Sequence, residues 1–184
     1  MTRTATLLLF LLSLVTGPVQ AGTAWTVEES SRLGFVATQG GATVEGVFEK
    51  FEAEIAFATG GLANSNVSVE IEIASVNSKS KNRDAAIISP GLFDVSKWPT
   101  ASFEKTSFRR LEDGRFEADA TLTMRDVTKP VTLPFKLEIK QDRAHVTGEI
   151  TVERLDYGIG QGPWKDTSVV GNTVKIFIDL RAKR

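Results

Sequence analysis

Apolar and polar residues alternate at period two along most of the chain, the pattern of β-strands with one buried face. Val67, Val69, Ile71 and Ile73 share one parity, with Ser68, Glu70 and Glu72 between them on the wet face. The same rhythm runs through Phe116, Ala118, Ala120, Leu122 and Met124, and again through Val131, Leu133, Phe135, Leu137 and Ile139. It returns in Val146, Gly148, Ile150 and Val152, then in Val174, Ile176, Ile178 and Leu180. Leu33, Phe35 and Ala37 form an earlier strand. Thr43 to Phe57 reads as one long strand whose apolar parity shifts between Phe48 and Phe51, which predicts a bulge. Reversals are expected at Gly40-Gly41, Gly60-Gly61, Glu112-Asp113-Gly114, Lys129-Pro130 and Gln141-Asp142. Roughly eight antiparallel strands result, and a closed barrel is the economical way to remove their edges. A two-sheet sandwich satisfies the same pattern. Pro134 cannot donate a ladder hydrogen bond, so its strand should carry an edge or a bulge there.

Lys79 to Leu92 breaks this rhythm. Ala85, Ala86, Ile87 and Ile88 predict a short helix with Asn82 as its N-cap and Ser89-Pro90-Gly91 as its stop. Lying between two strands, it is placed to cover one mouth of a barrel.

Residues 1–21 carry Arg3, the apolar run Leu7 to Val15 and the small-x-small triplet Val19-Gln20-Ala21, which together predict a cleaved secretory signal. The run is about half of what crosses a bilayer. Residues 22–184 then form one domain, expected in the periplasm or outside the cell without stable membrane insertion. Removing Arg3 from the 22 basic residues leaves 21 against 23 acidic ones, a net charge of −2 with no long run of one sign. Nucleic acid, which needs clustered cations, is not an expected partner. With no cysteine there is no disulfide, thiolate metal site or covalently attached haem.

Candidate chemistry is sparse. The only histidine, His145, sits beside Val146 on the wet parity, so neither an imidazole base nor an imidazole metal site is expected. The carboxylates alternate outward instead of converging. Gly158, Gly160 and Gly162 lack the strand-to-helix context of a phosphate loop. What remains is inward apolar surface, which can fill a small barrel or wall a ligand. Small inward residues at Ala37, Ala53, Ala101, Ala118, Ala120 and Gly148 leave room.

Three stretches carry a resemblance. Asn82-Arg83-Asp84 leads into Leu92-Phe93-Asp94-Val95-Ser96-Lys97-Trp98-Pro99-Thr100 and Phe103. Leu122-Thr123-Met124-Arg125-Asp126-Val127-Thr128-Lys129-Pro130-Val131 is the second, and Trp25-Thr26-Val27 with Leu33-Gly34-Phe35 the third. In order and spacing they resemble the YceI-like family, polyisoprenoid-binding proteins with a lipocalin-like barrel, across Ala24 to Leu180. The chain departs from many relatives at Gln39 and Ala86, where they carry histidine. The tail Tyr157 to Thr167 resembles one subgroup and would shape the lumen mouth.

The resemblance implies an eight-stranded antiparallel lipocalin-like barrel with a short helix over one mouth. Its lumen would hold a long isoprenoid, a quinone or polyprenyl lipid, with no covalent cofactor, no metal and no catalysis. Phe35, Phe48, Phe51, Phe57, Val69, Ile71 and Ile73 are then the expected lipid-binding wall. Ile87, Leu92, Phe93, Phe103, Leu122, Met124, Phe135 and Leu137 complete it. Arg83, Asp94 and Lys97 would meet a headgroup at the mouth, or tie helix to barrel as an ion-pair network. A tail of about 40 carbons would gain on the order of 12 kcal/mol. A homodimer is compatible with this picture. The competing reading is a stress-linked structural or interaction protein with a fully packed barrel.

Overall fold

The computed structural model describes residues 23–184; the predicted signal at 1–21 lies outside them. The strands are β1 (Ala24–Val27), β2 (Arg32–Gln39), β3 (Ala42–Phe48), β4 (Phe51–Ala56), β5 (Asn66–Glu72) and β6 (Val76–Asn77). After the helix α1 (Lys81–Ile88) come β7 (Thr100–Arg110), β8 (Phe116–Met124), β9 (Val127–Lys140), β10 (Arg143–Glu153) and β11 (Thr173–Lys183). Eight of them, in the order β1-β4-β5-β7-β8-β9-β10-β11, close on themselves through the β1–β11 pairing as an antiparallel barrel. The other three make a branch. Lys175 to Asp179 of β11 pair with β2, whereas Ala182 and Lys183 pair with β1, so the sheet forks into β2-β3-β6 above and β1-β4-β5 below.

That fork corrects one expectation. Thr43 to Phe57 is not one bulged strand. Phe48 ends β3 opposite Leu33 and Val76, and Phe51 starts β4 opposite Ile71. The parity shift marks the point, Glu49-Lys50, where the chain crosses from the upper branch to the lower. A bulge does occur in β7, between Lys105 and Ser107. The turn expected at Lys129-Pro130 is also displaced, because those residues pair with Leu122 and Thr121 inside β9. The reversal falls at Arg125-Asp126, with Arg125 at φ 55°. Pro134 meets its requirement for an edge: β9 pairs with β10 only from Phe135↔Gly148 down to Lys140↔Arg143.

The helix starts at Lys81 with Ser80, not Asn82, as its N-cap residue. Asp84 in the first turn, where a carboxylate suits the helix dipole, accepts the Ser78 N–H at 2.9 Å and the Ser78 hydroxyl at 2.5 Å. Ser89 ends it, its hydroxyl donating to the Ala86 carbonyl at 2.7 Å.

The inward faces form two apolar clusters. The upper one, on the α1 side, is mainly aliphatic, with Ile73, Ile87, Leu92, Leu122 and Met124 all buried. The lower one is aromatic: Phe116 stacks on Phe135 at 5.6 Å, and Phe57 meets Phe108 edge-on at 5.0 Å.

Candidate functional site

The upper cluster surrounds a cavity of about 200 Å³. Alternation along each strand turns Leu33, Phe35, Phe48, Val69 and Ile71 inward from β2, β3 and β5, with Ile73 just beyond. Ile87 descends from α1, and Leu92 and Phe93 from the segment after it. Phe103, Leu122 and Met124 complete the expected part of the wall from β7 and β8. Ala37, Val67 and Ala101 add to the same strands, and the remainder comes from the C-terminal third, including Ile150, Val152, Ile159, Val174 and Ile176. Sequence parity had marked most of these as inward without marking them as ligand wall.

Four expected wall residues lie elsewhere. Phe57, Phe135 and Leu137 face a second cavity of about 80 Å³ at the opposite end of the barrel, between the aromatic rings and the β10–β11 strands. Phe51 is half-buried at the fork, packed against the upper cluster from its flank and lining neither cavity. Their parity is as expected, but parity does not fix height along a barrel axis.

The expected headgroup residues are engaged with the mouth's own scaffold. Arg83 donates to the Ser78 hydroxyl and the Ser78 carbonyl, both at 2.9 Å, and reaches Gln39 Oε1 at 3.3 Å, fastening α1 to the ends of β6 and β2. Asp94 is 3% exposed with φ 52°; it accepts the Ser96 hydroxyl at 2.8 Å and pairs with Lys97 Nζ at 3.1 Å. The Ser96 hydrogen bond, then the bond and charge of Lys97, outweigh burial and hold its pKa below the usual carboxylate value. Lys97 itself remains open to solvent.

Arg154 is the residue that sequence reasoning missed. It is 3% exposed, yet it borders the upper cavity. Its guanidinium donates to the carbonyls of Ile159 at 2.8 Å, Val170 at 2.7 Å and Gly171 at 2.9 Å, so the charge organises the loop that roofs the lumen. Burial lowers its pKa. Arg125 serves a second seam. It donates to the carbonyls of Leu92 at 2.5 Å and Gly158 at 3.0 Å, and its guanidinium lies 4.4 Å from the Trp98 ring centre. The roof is therefore two segments clamped by arginine donors whose acceptors are backbone carbonyls. Only the absence of an obvious outward position for Arg154, directly after the strand Val146 to Val152, hinted at its role.

Among the described residues no group of three or more His, Asp or Glu side chains is placed to hold a metal ion. No helix among them is long and apolar enough to cross a membrane. His145 lies on the outer wall, its Nε2 2.7 Å from Asp179.

The sequence profile of the YceI-like domain matches residues 25–182. The chain belongs to the YceI-like family. It is 32% identical over 145 residues to a UPF0312 protein of Ectopseudomonas mendocina, covering 76% of this chain and 74% of that one. A UPF0312 protein of Vibrio cholerae is 31% identical over 122 residues, 63% of this chain and 65% of the relative. Among solved structures, BcnA of Burkholderia cenocepacia superposes with a TM-score of 0.82 at 25% identity, covering 86% of this chain and all of that one. A polyisoprenoid-binding domain from Saccharophagus degradans, implicated in plant cell wall breakdown, shares the fold at 16% identity. Its TM-score is 0.68, over 88% of this chain and 98% of its own.

Proposed function

We propose that this YceI-like protein sequesters the hydrocarbon tail of an isoprenoid lipid, a quinone or polyprenyl species, and carries or stores it without covalent change. The observation that carries this reading is a roofed, almost wholly apolar cavity of about 200 Å³ inside a closed barrel. Arg154, the one charged side chain among the described residues of its wall, has spent donors on three carbonyls. A hydrocarbon suits that lining, whereas a headgroup belongs at the mouth, where Lys97 is exposed. The fold shared with the Saccharophagus polyisoprenoid-binding domain supports the same ligand class. The signal expected from the sequence of residues 1–21 favours a periplasmic or secreted location.

The alternative of a fully packed barrel fits less well. A cavity of 200 Å³ that served no ligand would cost about 5 kcal/mol at the rate measured for core voids. Size also refines the tail. An apolar cavity of about 150 Å³ holds one benzene, about 25 Å³ per carbon, so 200 Å³ takes about eight carbons, roughly a fifth of the 40-carbon chain expected at the outset. A longer chain leaves part of itself at the mouth or pushes the wall outward.

The test is to purify the protein from the cell that makes it, extract with organic solvent and identify the extract by mass spectrometry. The expected result is near-stoichiometric isoprenoid. A delipidated protein that binds no prenyl alcohol, with no isoprenoid in the extract, would overturn the reading.

A further inference from the structure

The wall of the upper cavity carries a seam. β9 and β10 pair from Lys140↔Arg143 up to Phe135↔Gly148, and among the described residues no ladder pair continues between Val127–Pro134 and Glu149–Glu153. Extending the register would set Leu133 against Ile150, Thr132 against Thr151 and Val131 against Val152. Over this stretch each strand is fully paired on its other side, β9 to β8 and β10 to β11, so the gap belongs to this one junction. Two prolines write it into the sequence. The β8–β9 ladder runs unbroken over Pro130 and Pro134, opposite Thr121 and Glu117, which puts both at its non-hydrogen-bonded positions. The sides on which they lack an N–H therefore face β10, and a ladder there would miss both donors. Gly148 marks the apex, because a Cβ at that position would lie 2.7 Å from the Pro134 carbonyl oxygen. At the upper end Lys129 Nζ meets Asp156 Oδ2 at 2.9 Å, an ion pair open to solvent. Leu133, Ile150 and Val152 form the inner lips and line the upper cavity, while Thr132 and Thr151 are exposed outside.

Resting on the tail-binding reading above, we propose that the β9–β10 seam is a side gate: the strands part as a slit above Gly148, and an apolar chain enters and leaves the upper cavity through the wall instead of the roof. The roof resists opening because Arg154 holds three backbone carbonyls and Arg125 two, through charge-assisted hydrogen bonds. The seam has no ladder to break and a solvent-exposed ion pair, a weak contact, to part.

The chain has no cysteine, so a pair of introduced thiols can be bridged cleanly. Thr132→Cys with Thr151→Cys, joined by a short bis-methanethiosulfonate, locks the seam from outside, and dithiothreitol releases it. Geraniol, whose size is close to what the upper cavity holds, is loaded onto delipidated protein and drawn off by phosphatidylcholine vesicles. Both steps are followed by stopped-flow tryptophan fluorescence, since Trp164 packs against the upper cluster. The bridge should slow loading and release together by about tenfold or more, with affinity held within about twofold, and reduction should restore both rates. The same bridge between Thr151→Cys and Lys175→Cys, across the laddered β10–β11 pair, should leave both rates unchanged. Lys129→Gln, which removes the ion pair, should speed both by about two- to fivefold. Unaltered rates in a locked protein that still binds geraniol would overturn the gate and leave tail binding standing. Equal slowing by the two bridges would overturn it as well, because that reports stiffening of the whole barrel. Native protein that binds no geraniol overturns the tail-binding reading, and the gate with it.

Discussion

The upper and lower halves of this barrel are made by the same alternating strands and reach opposite states of filling. Above, aliphatic walls surround 200 Å³ under a roof held by arginines; below, phenylalanines pack edge to face and leave 80 Å³. β8 shows the contrast in one element, running from Phe116 at the aromatic end to Met124 at the hollow end with every inward residue buried. Closure and alternation therefore make the barrel, and side-chain shape at each height decides whether it is core or container. The lower half supplies stability that a hollow upper half cannot supply for itself.

The largest expected effect is on the roof. Arg154→Leu leaves three carbonyls without their donor, and at about 1–3 kcal/mol per orphaned group the variant should lose about 3–9 kcal/mol. Thermal unfolding followed by circular dichroism should fall by about 10 °C or more. A shift within 2 °C or so would mean that the roof is held by something other than this arginine. Next, truncation should cost more below than above. Phe116→Ala should lose about 3–4 kcal/mol by denaturant titration, and Leu122→Ala, whose side chain already borders open space, about 2 kcal/mol. Equal losses would erase the contrast between packed and hollow halves.

A smaller effect tests the mouth by pH. Folding lowers the Asp94 pKa, chiefly through Ser96 and Lys97. A group with a depressed folded pKa stabilises the fold above its unfolded value, near about 4, and loses that contribution as pH falls through the folded value. Asp94→Asn tolerates the left-handed backbone but should unfold more readily at neutral pH and show a flatter stability profile below about pH 4. Parallel profiles for the two proteins would remove Asp94 from the acid response. Smallest of all, His145→Ala on the outer wall should change stability by less than about 0.5 kcal/mol and leave bound lipid unaltered.

Much of the barrel was legible because period-two alternation directly reports which face is wet. Val67 to Ile73 and Phe116 to Met124 fall as their parity predicts. The fork was not legible, since a chain crossing between branches at Glu49-Lys50 and a bulge within one strand both appear as a parity shift. Lys129-Pro130 looked like a turn because proline lacks a donor, yet a strand accommodates it where no donor is needed. For the candidate site, inward direction was readable but height was not, so Phe57, Phe135 and Leu137 were assigned to the same wall as Ile71. Arg154 escaped because a charged residue after a strand reads as solvated unless the carbonyls it will meet, at Val170 and Gly171, are already placed. The family resemblance identified the barrel's kind, and the volumes then divided its interior.

Ile71 gives the most direct measurement. It is 7% exposed, pairs with Phe51 and Ala101, and faces the upper cavity. Replacing it with tryptophan puts an indole where the tail should lie. If the cavity is a container, delipidated Ile71→Trp unfolds within about 1 kcal/mol of the native protein, because open space absorbs the bulk. Its affinity for geranylgeraniol then falls at least tenfold. If the interior were simply a core, the added ring would cost about 1–3 kcal/mol in the delipidated protein. Native protein would show no geranylgeraniol binding to lose, and that pair of results would contradict the account.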